Sequence, residues 1–595
     1  MTTISACIDF SDPLDSDAPR LRHAFGAPRA VLAAHAQHEL GAVLDAVQAA
    51  AEKGSWCIGY VRYEAAPAFD AALAVHPADG PLAWFAVHDA ALPWPEDDSD
   101  ATARVEWTES CLRPAFGASV ARIQQAIANG ELYQVNLTAP LLGEWVGEPD
   151  AGAAQALFAA LQRAQPGGYA AFIDTAEPGD AGDGQVLSVS PELFFDWREG
   201  SILARPMKGT AARGSTPEMD AAQADALRAS PKERAENVMI VDLLRNDISR
   251  IAEPFSVRVP RLFHTEALPS VWQMTSDVQA RTRAGTSLAD VFGALFPCGS
   301  VTGAPKVRAM QMIRALEAGP RGVYCGAIGV VRPGKPGQGI RATFNVPIRT
   351  VTVNKAGVLR CGIGSGITSG ALPEAEWLEW RDKRKFLERA SQPFDLLETL
   401  ALEDGQLRHA AAHLQRLAGA AAHFGYKCDM ASVQDCLHML AQAHPQDLWR
   451  VRLLLDAQGR PRAQAFAMDA SPALVRLQLA TRPLEQAQGE FVRFKTTRRA
   501  HYDAFTPTRP GIFDTILWND RREITECTRG NVAMLLDGRW VTPPLACGLL
   551  PGVGRTLALQ GGRLVESVVR LDDLPRVQGW AFINSLRGWL AAEIA

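Results

Sequence analysis

The stretch Ala390–Pro393 constrains this chain most, because the residue pattern changes character across it. Before it, Pro373–Glu388 places charged and apolar residues at helical spacing. After it, Phe394–Leu402 reads as a strand, closed by the tight-turn residues Glu403-Asp404-Gly405. A chain of 595 residues is too long for one hydrophobic core. A connector at this point leaves parts of about 390 and about 200 residues, both ordinary domain sizes. Domains are therefore expected at 1–390 and 391–595. Each mixes strand-like apolar runs (Gly326–Val331, Arg450–Leu455) with helical patterns (Glu233–Ile251, Ala410–Phe424), which predicts an α+β class for both. Gly/Pro/Asp-rich stretches at Pro93–Asp100 and Glu177–Gly184 read as loops.

Composition removes several classes of function. With 47% hydrophobic and 21% charged residues, the chain reads as a soluble globular protein. A formal net charge of −6 gives no basic footprint for nucleic acid. No apolar run is long enough to span a bilayer. Met1–Pro13 lacks Lys and Arg and is not expected to be a signal peptide. Ten cysteines occur without a C-x-x-C pair, which predicts reduced thiols and a cytoplasmic protein rather than a disulfide frame or a structural zinc site.

The first chemical cluster lies in the longer part. Arg205-Pro206-Met207-Lys208-Gly209-Thr210 sets a lysine in a turn-like segment, where Thr210 and the Gly209 backbone could bind an anion. Taken alone, Lys208 reads as a surface lysine beside a loop. In Lys232–Ile251, Met239, Ile240 and Leu243 follow Glu236 by three, four and seven residues, so Glu236 is expected on the apolar side. A carboxylate there needs a cation or an ion pair, with Arg245 one candidate. Glu376 and Glu379 share a helix face and repel unless a divalent ion such as Mg²⁺ lies between them. The alternative is a solvated face with Glu379 paired to Lys383. Gly362-Ile363-Gly364-Ser365-Gly366 lacks the G-x-G-x-x-G spacing and reads instead as a loop bringing backbone N–H groups to a carboxylate. Ser300-Val301-Thr302-Gly303-Ala304-Pro305-Lys306 lacks the ending of a Walker loop.

Residues 115–390 resemble the chorismate-utilising enzyme family. The matching segments are Tyr133–Leu137, Pro206–Thr210, Ala235–Asn237 with Asp242–Asp247, Gly299–Met310, Ile348–Thr350 and Gly362–Lys383. The resemblance implies a two-sheet α/β sandwich, with Glu236, Glu376 and Glu379 as the Mg²⁺ ligands. Arg349 would hold a chorismate carboxylate, and Gln134, Thr210, Thr302, Gly364 and Gly366 would contact the substrate. Members that add water carry a lysine at the position of Gln134; glutamine cannot deprotonate water, so an amine nucleophile is implied. Anthranilate synthases carry alanine at the position of Lys208. A lysine there resembles the aminodeoxychorismate synthase component I branch, in which it is proposed to attack C2 of chorismate. Relatives often have a histidine at Gln273, which could hydrogen-bond a leaving hydroxyl but not protonate it. No cysteine has the setting of a glutamine amidotransferase nucleophile, so ammonia is expected from a separate glutaminase subunit or free in solution. Residues 1–115 show no clear motif for the tryptophan pocket some relatives have.

The second cluster lies in the shorter part. Phe491–Thr497 alternates as a strand would and carries Lys495. Ile524-Thr525-Glu526 follows, and Gly548–Thr556 is a Gly/Pro loop opening a helix, whose free N–H groups suit a phosphate. Singly these read as a surface lysine and an ordinary turn. Together they resemble the fold-type IV pyridoxal-phosphate enzymes over residues 394–595. Lys495 then matches the Schiff-base lysine, Glu526 the partner of the pyridinium nitrogen, and Arg416 the phosphate arginine. Asn531, Val553 and Gly554 fall to the cofactor cup, and Thr399 to the leaving group. Within that family Phe394–Thr399 and Lys495–Asp503 look most like aminodeoxychorismate lyase. Branched-chain and D-amino acid aminotransferases are the nearest alternatives, and a non-catalytic scaffold that binds the amidotransferase is another. Family members are commonly dimers, which implies a homodimer through the C-terminal part.

Overall fold

The computed structural model describes residues 4–95, 103–150, 152–175, 184–213, 217–267, 271–335 and 339–595. The loop expected at Glu177–Gly184 lies outside the described residues except for Gly184, and that at Pro93–Asp100 beyond Pro95. The chain forms two compact units, Met1–Pro393 and Phe394–Ala595.

Among the described residues, the first unit holds a nine-stranded and a ten-stranded sheet. They pack face to face. Ile8, Phe10 and Ala171 of one meet Tyr60, Trp84 and Ile328 of the other in a fully buried layer. Helices cover both outer faces. Leu40–Glu52, Pro231–Ser249 and Leu288–Leu295 bury their apolar stripes on the ten-stranded sheet. Arg113–Ala128, Ala153–Ala164, Lys306–Leu316 and Pro373–Lys383 do so on the nine-stranded sheet. This is the expected two-sheet sandwich, and each sheet is buried on both faces.

Three local expectations need correction. Gly362–Gly366 is not a loop but the middle of strand Leu359–Ile367, paired antiparallel with strand Gln134–Trp145. Glycine is needed there for close approach rather than for a turn: a Cβ on Gly362 would lie 2.3 Å from the Tyr324 ring, and one on Gly364 would lie 2.5 Å from the Leu137 carbonyl. The expected helix Pro373–Glu388 breaks at Arg384 into Pro373–Lys383 and Lys385–Ser391. Phe491–Thr497 is not a strand: Glu490–Arg493 is a short helix, and only Thr496 bridges to Leu396.

The second unit has a four-stranded sheet, in which Leu396–Glu403, Leu448–Leu455 and Pro461–Ala467 are consecutive neighbours, and an eight-stranded sheet. Helices Ala410–Phe424 and Met430–Ala443 cover the smaller sheet. The turn at Asp404-Gly405 forms as predicted, with both residues at positive φ (48° and 75°).

Candidate active sites

In the first unit the site is built where strand ends from both sheets meet helix Pro231–Ser249. Lys208 lies on strand Met207–Ala212 rather than in a turn. Met207 pairs with Thr275 and Thr210 with Gln273, so Lys208 and Gly209 together oppose one residue, Met274. This bulge, with Gly209 at φ 88°, re-aims the lysine. Lys208 points toward Gly366: a Cβ added there would lie 2.7 Å from Gln134 Nε2 and 3.2 Å from Lys208 Nζ. Gln134, at the start of its strand, is fully buried, and neither its Oε1 nor its Nε2 has a hydrogen-bond partner. A buried amide left unmade costs on the order of 1–3 kcal/mol, so the pair is held ready for a ligand. Beyond Cys361 the strand Leu359–Ile367 keeps its pairing to Gln134–Trp145 and loses that to Thr350–Val353, which frees one edge of Gly364 and Gly366 for a substrate.

Carboxyls surround the lysine. Glu236 is half-buried at the margin of the helix's core stripe, which runs through Asn237, Ile240, Val241, Leu244 and Ile248. It does not pair with Arg245, which donates to Asp242 at 2.7 Å. Burial raises its pKa, opposed by the charge of Lys208 and helped by Glu233 and Glu376. Glu376 is buried and accepts a hydrogen bond from Ser365 Oγ at 2.6 Å, and burial followed by Glu379 raises it as well. Glu379 is exposed and paired to Lys383 at 2.6 Å, while Lys383 Nζ also donates to the Gly364 carbonyl at 2.8 Å. Among the described residues no trio of His, Cys, Asp or Glu closes to metal-ligand distance. A half-buried and a buried carboxyl that repel each other are nonetheless what a divalent cation relieves, so the donor set suits Mg²⁺.

Sequence reasoning missed Glu192. It is almost fully buried, its Oε1 has no partner, and burial raises its pKa against the Ser300 hydroxyl, Lys208 and the Met207 backbone. A carboxylate at the head of the apolar run Leu193-Phe194-Phe195 was the available signal. Gln273 is engaged at the bulge. Its Nε2 donates to the Gly209 carbonyl at 2.8 Å and its Oε1 accepts from Thr210 Oγ1 at 3.1 Å, so both amide ends brace the bulge. Thr210 is exposed and engaged in that brace. Thr302 is fully buried, and its hydroxyl donates to the Cys298 and Gly299 carbonyls at 3.1 and 3.3 Å. The loop that carries it is tied to the strand of Gln134 by Arg321, whose guanidinium donates to the Val301 and Asn136 carbonyls at 2.7 and 2.8 Å and is paired to Glu317 at 2.7 Å. Arg349 has φ 51°, lies over Phe386, and has no carboxylate partner among the described residues. Burial pulls its pKa down to about 10. An unpaired guanidinium in a strained backbone is suited to an anionic ligand.

In the second unit a cavity of roughly 460 Å³ opens between the two sheets, lined among others by Thr399, Arg416, Lys495, Glu526, Asn531 and Val553. Burial first, then Arg499 and Arg416, bring the Lys495 pKa down to about 7. Glu526 accepts from Tyr502 Oη at 2.6 Å and from the Leu550 N–H at 3.1 Å, and burial pushes it up to about 7. Arg416 is fixed by a two-point contact with buried Glu398 (2.8 and 2.6 Å), and His413 Nδ1 lies 2.6 Å from the same carboxylate. Despite burial, Arg416 and His413 hold Glu398 down at about 2. Asn531 Nδ2 donates to the Leu550 carbonyl at 3.0 Å, and a Cβ on Gly552 would lie 1.9 Å from Asn531 Oδ1. Gly552 caps helix Val553–Gln560, whose first N–H groups, with Val553 and Gly554, face outward from the helix end. A carboxyl for a ring nitrogen, an amine with a lowered pKa and a cationic helix N-terminus fit pyridoxal phosphate. Tyr502 and Glu398 also escaped the sequence reading.

This four-layer sandwich with a carboxyl-ringed lysine places the chain among chorismate binding enzymes: the model of that family matches residues 90–389, and the chain belongs to it. Residues 395–593 match the family of class IV amino-transferases. Among curated relatives, aminodeoxychorismate synthase component 1 of Klebsiella aerogenes is 42% identical over 277 residues, covering 47% of this chain and 58% of that protein. The same enzyme of Salmonella typhimurium is 40% identical over 278 residues, covering 47% and 57%. The alignments thus span less than three fifths of either relative. The solved anthranilate synthase component I of Streptococcus pneumoniae shares the fold of the first unit at 22% identity, with a TM-score of 0.50 and coverage of 64% of this chain and 90% of that one. No helix among the described residues is long and apolar enough to cross a membrane, and all ten cysteines are free.

Proposed function

We propose that the chain makes 4-aminobenzoate from chorismate in two steps, aminating it in residues 1–390 and eliminating pyruvate in residues 391–595. The observation that carries this reading is Lys208 set beside the unpartnered amide of Gln134 and within the field of the buried Glu192 carboxyl. Lys208 adds to C2 of chorismate, both ring double bonds shift (C1=C2 to C6=C1 and C5=C6 to C4=C5), and the C4–oxygen bond breaks. Glu192, whose pKa burial raises, gives its proton to the departing hydroxyl. Ammonia then adds at C4, both double bonds return and the C2–nitrogen bond to Lys208 breaks, giving 4-amino-4-deoxychorismate. Gln134 orients the substrate without deprotonating water, which favours ammonia over hydration. Arg349 holds a carboxylate, and the free edge at Gly364 and Gly366 receives the ring. Mg²⁺, when bound by Glu236, Glu376 and Glu379, neutralises a substrate carboxylate.

In the second unit pyridoxal phosphate, when bound, supplies an electron sink. Arg416, Asn531 and the N–H groups of Val553 and Gly554 hold its phosphate end, and Glu526 holds the proton of its ring nitrogen. The Lys495 amine, neutral above about pH 7, takes the proton from the substrate carbon bearing nitrogen. Thr399 lies beside the departing pyruvate. Ammonia comes from a separate glutaminase subunit, the place of the protein is the cytoplasm, and a homodimer forms through residues 394–595.

The test supplies chorismate, Mg²⁺ and ammonium to the purified chain loaded with pyridoxal phosphate. Appearance of 4-aminobenzoate with equimolar pyruvate is expected. Anthranilate as product would overturn the assignment of the first unit. Pyruvate formation that requires an added keto acid would make the second unit an aminotransferase.

A further inference from the structure

The cavity of the second unit holds more positive charge than its cofactor end uses. Arg416 is committed to Glu398, and Arg529, also on the wall, is committed to Asp514. Arg499 lies over Tyr502 and donates to the Thr528 carbonyl, which places it at the Lys495 end. Arg450 and Arg587 remain. Both line the cavity, and neither has a carboxylate partner among the described residues.

Their position follows from strand register. Leu397, whose N–H donates to the Lys495 carbonyl, begins a line of side chains on one sheet face that continues through Thr399 to Ala401, and Ala401 pairs with Arg450. Four residues of strand set Arg450 roughly 13 Å along the floor from Leu397. Arg450 is exposed, with its guanidinium over Phe466 at 4.8 Å. Phe466 is Arg450's partner on the next strand, three residues before Asp469. Arg587 is half-buried; its Nη1 reaches the Asp469 carbonyl at 3.4 Å, and its backbone N–H donates to Asn584 Oδ1 at 2.7 Å. The two arginines therefore line the same cavity as Thr399, and strand register sets Arg450 away from the Leu397 end, where the Lys495 carbonyl is bound.

We infer that Arg450 and Arg587 together form a carboxylate site that receives the ring carboxylate of an aminated cyclohexadiene, across the ring from the reacting amine. This rests on the reading of the second unit as a lyase. It makes the two arginines specificity-determining: a substrate with an amine at one end and a carboxylate at the other spans the cavity, whereas a small amino acid with its carboxylate beside the amine does not reach them. A charge-assisted contact of this kind is stronger than a neutral one and is lost when either partner is neutral.

The test titrates the full chain, loaded with pyridoxal phosphate, with 4-aminobenzoate and with its uncharged amide, 4-aminobenzamide. In Arg450→Gln/Arg587→Gln, affinity for 4-aminobenzoate is expected to fall about ten- to a hundredfold, with 4-aminobenzamide unchanged. KM for pyruvate release from supplied 4-amino-4-deoxychorismate rises by a similar factor at nearly constant kcat, and Arg587→Lys recovers part of the loss. Equal weakening of both probes, or of neither, overturns the inference, as does a parent chain that binds neither. If the parent chain shows the arginine-dependent preference for the acid but releases no pyruvate, the lyase reading fails while the carboxylate site stands.

Discussion

Lys208 and Lys495 are placed by their neighbours for opposite proton traffic. Around Lys208 the charged groups are carboxyls, and burial raises the pKa of Glu192, Glu236 and Glu376. Around Lys495 they are chiefly arginines, and the lysine itself falls to about 7 while Glu398 stays anionic. In the first site Glu192 can thus give a proton to a leaving hydroxyl while Glu236 and Glu376 are left to a cation, and the second site holds an amine ready to accept one. One residue type serves both because the field, not the side chain, selects the role.

The largest expected effect exchanges the two lysines' fates. Lys495→Ala is expected to abolish pyruvate release while chorismate is still consumed, so 4-amino-4-deoxychorismate accumulates in a chromatographic assay. Lys208→Ala is expected to do the reverse, with no chorismate consumed and supplied 4-amino-4-deoxychorismate processed at the parent rate. If either variant lost both activities, the two sites would not be independent as described. Glu192→Gln sharpens the proton-giving half of the contrast. It should lower kcat for chorismate consumption about a hundredfold or more, because glutamine has no proton to give. In the parent protein that rate falls as pH rises through the raised pKa of Glu192, and the variant should lose this limb.

The other half is read in cofactor uptake. Only the neutral amine of Lys495 attacks an aldehyde, so covalent capture of pyridoxal phosphate by the unloaded chain, followed by absorbance, should quicken about tenfold per pH unit below 7 and level off above it. An ordinary lysine would keep quickening to about pH 10. The smallest effect concerns the bulge. Thr210→Val removes one partner of Gln273 at an exposed site, so a stability loss of about 1 kcal/mol or less is expected in chemical denaturation. A large loss would mean that the bulge depends on that one hydroxyl.

Helices and the turn at Asp404-Gly405 were readable because their signals are local. Ser230 and Pro231 start the helix of Glu236, the Ser230 hydroxyl accepts the Glu233 N–H, and Ala410–Phe424 matches its predicted span. What failed depended on partners distant in sequence. Gly362–Gly366 reads as a turn by composition, but its glycines answer to Tyr324 and Leu137, which no local pattern reveals. The alternation at Phe491–Thr497 is answered by a short helix and one bridge, from Thr496 to Leu396 at the start of a strand distant in sequence. Resemblance named Gln134 and Lys208, and the structure brings them together at Gly366. It engages Gln273 with Gly209 and Thr210 and leaves Glu379 on Lys383. Glu192 escaped because a single carboxyl next to an apolar run carries no spacing of its own.

Arg349 carries a further consequence. A residue with φ 51° and a guanidinium without a counter-charge among the described residues makes the first unit less stable than its sequence could make it. Filling the site with a carboxylate returns that free energy, so the melting temperature becomes a gauge of occupancy. Chorismate or a dicarboxylate mimic should raise it in the parent chain, while Arg349→Gly, relieved of both strain and charge, should start higher and respond less.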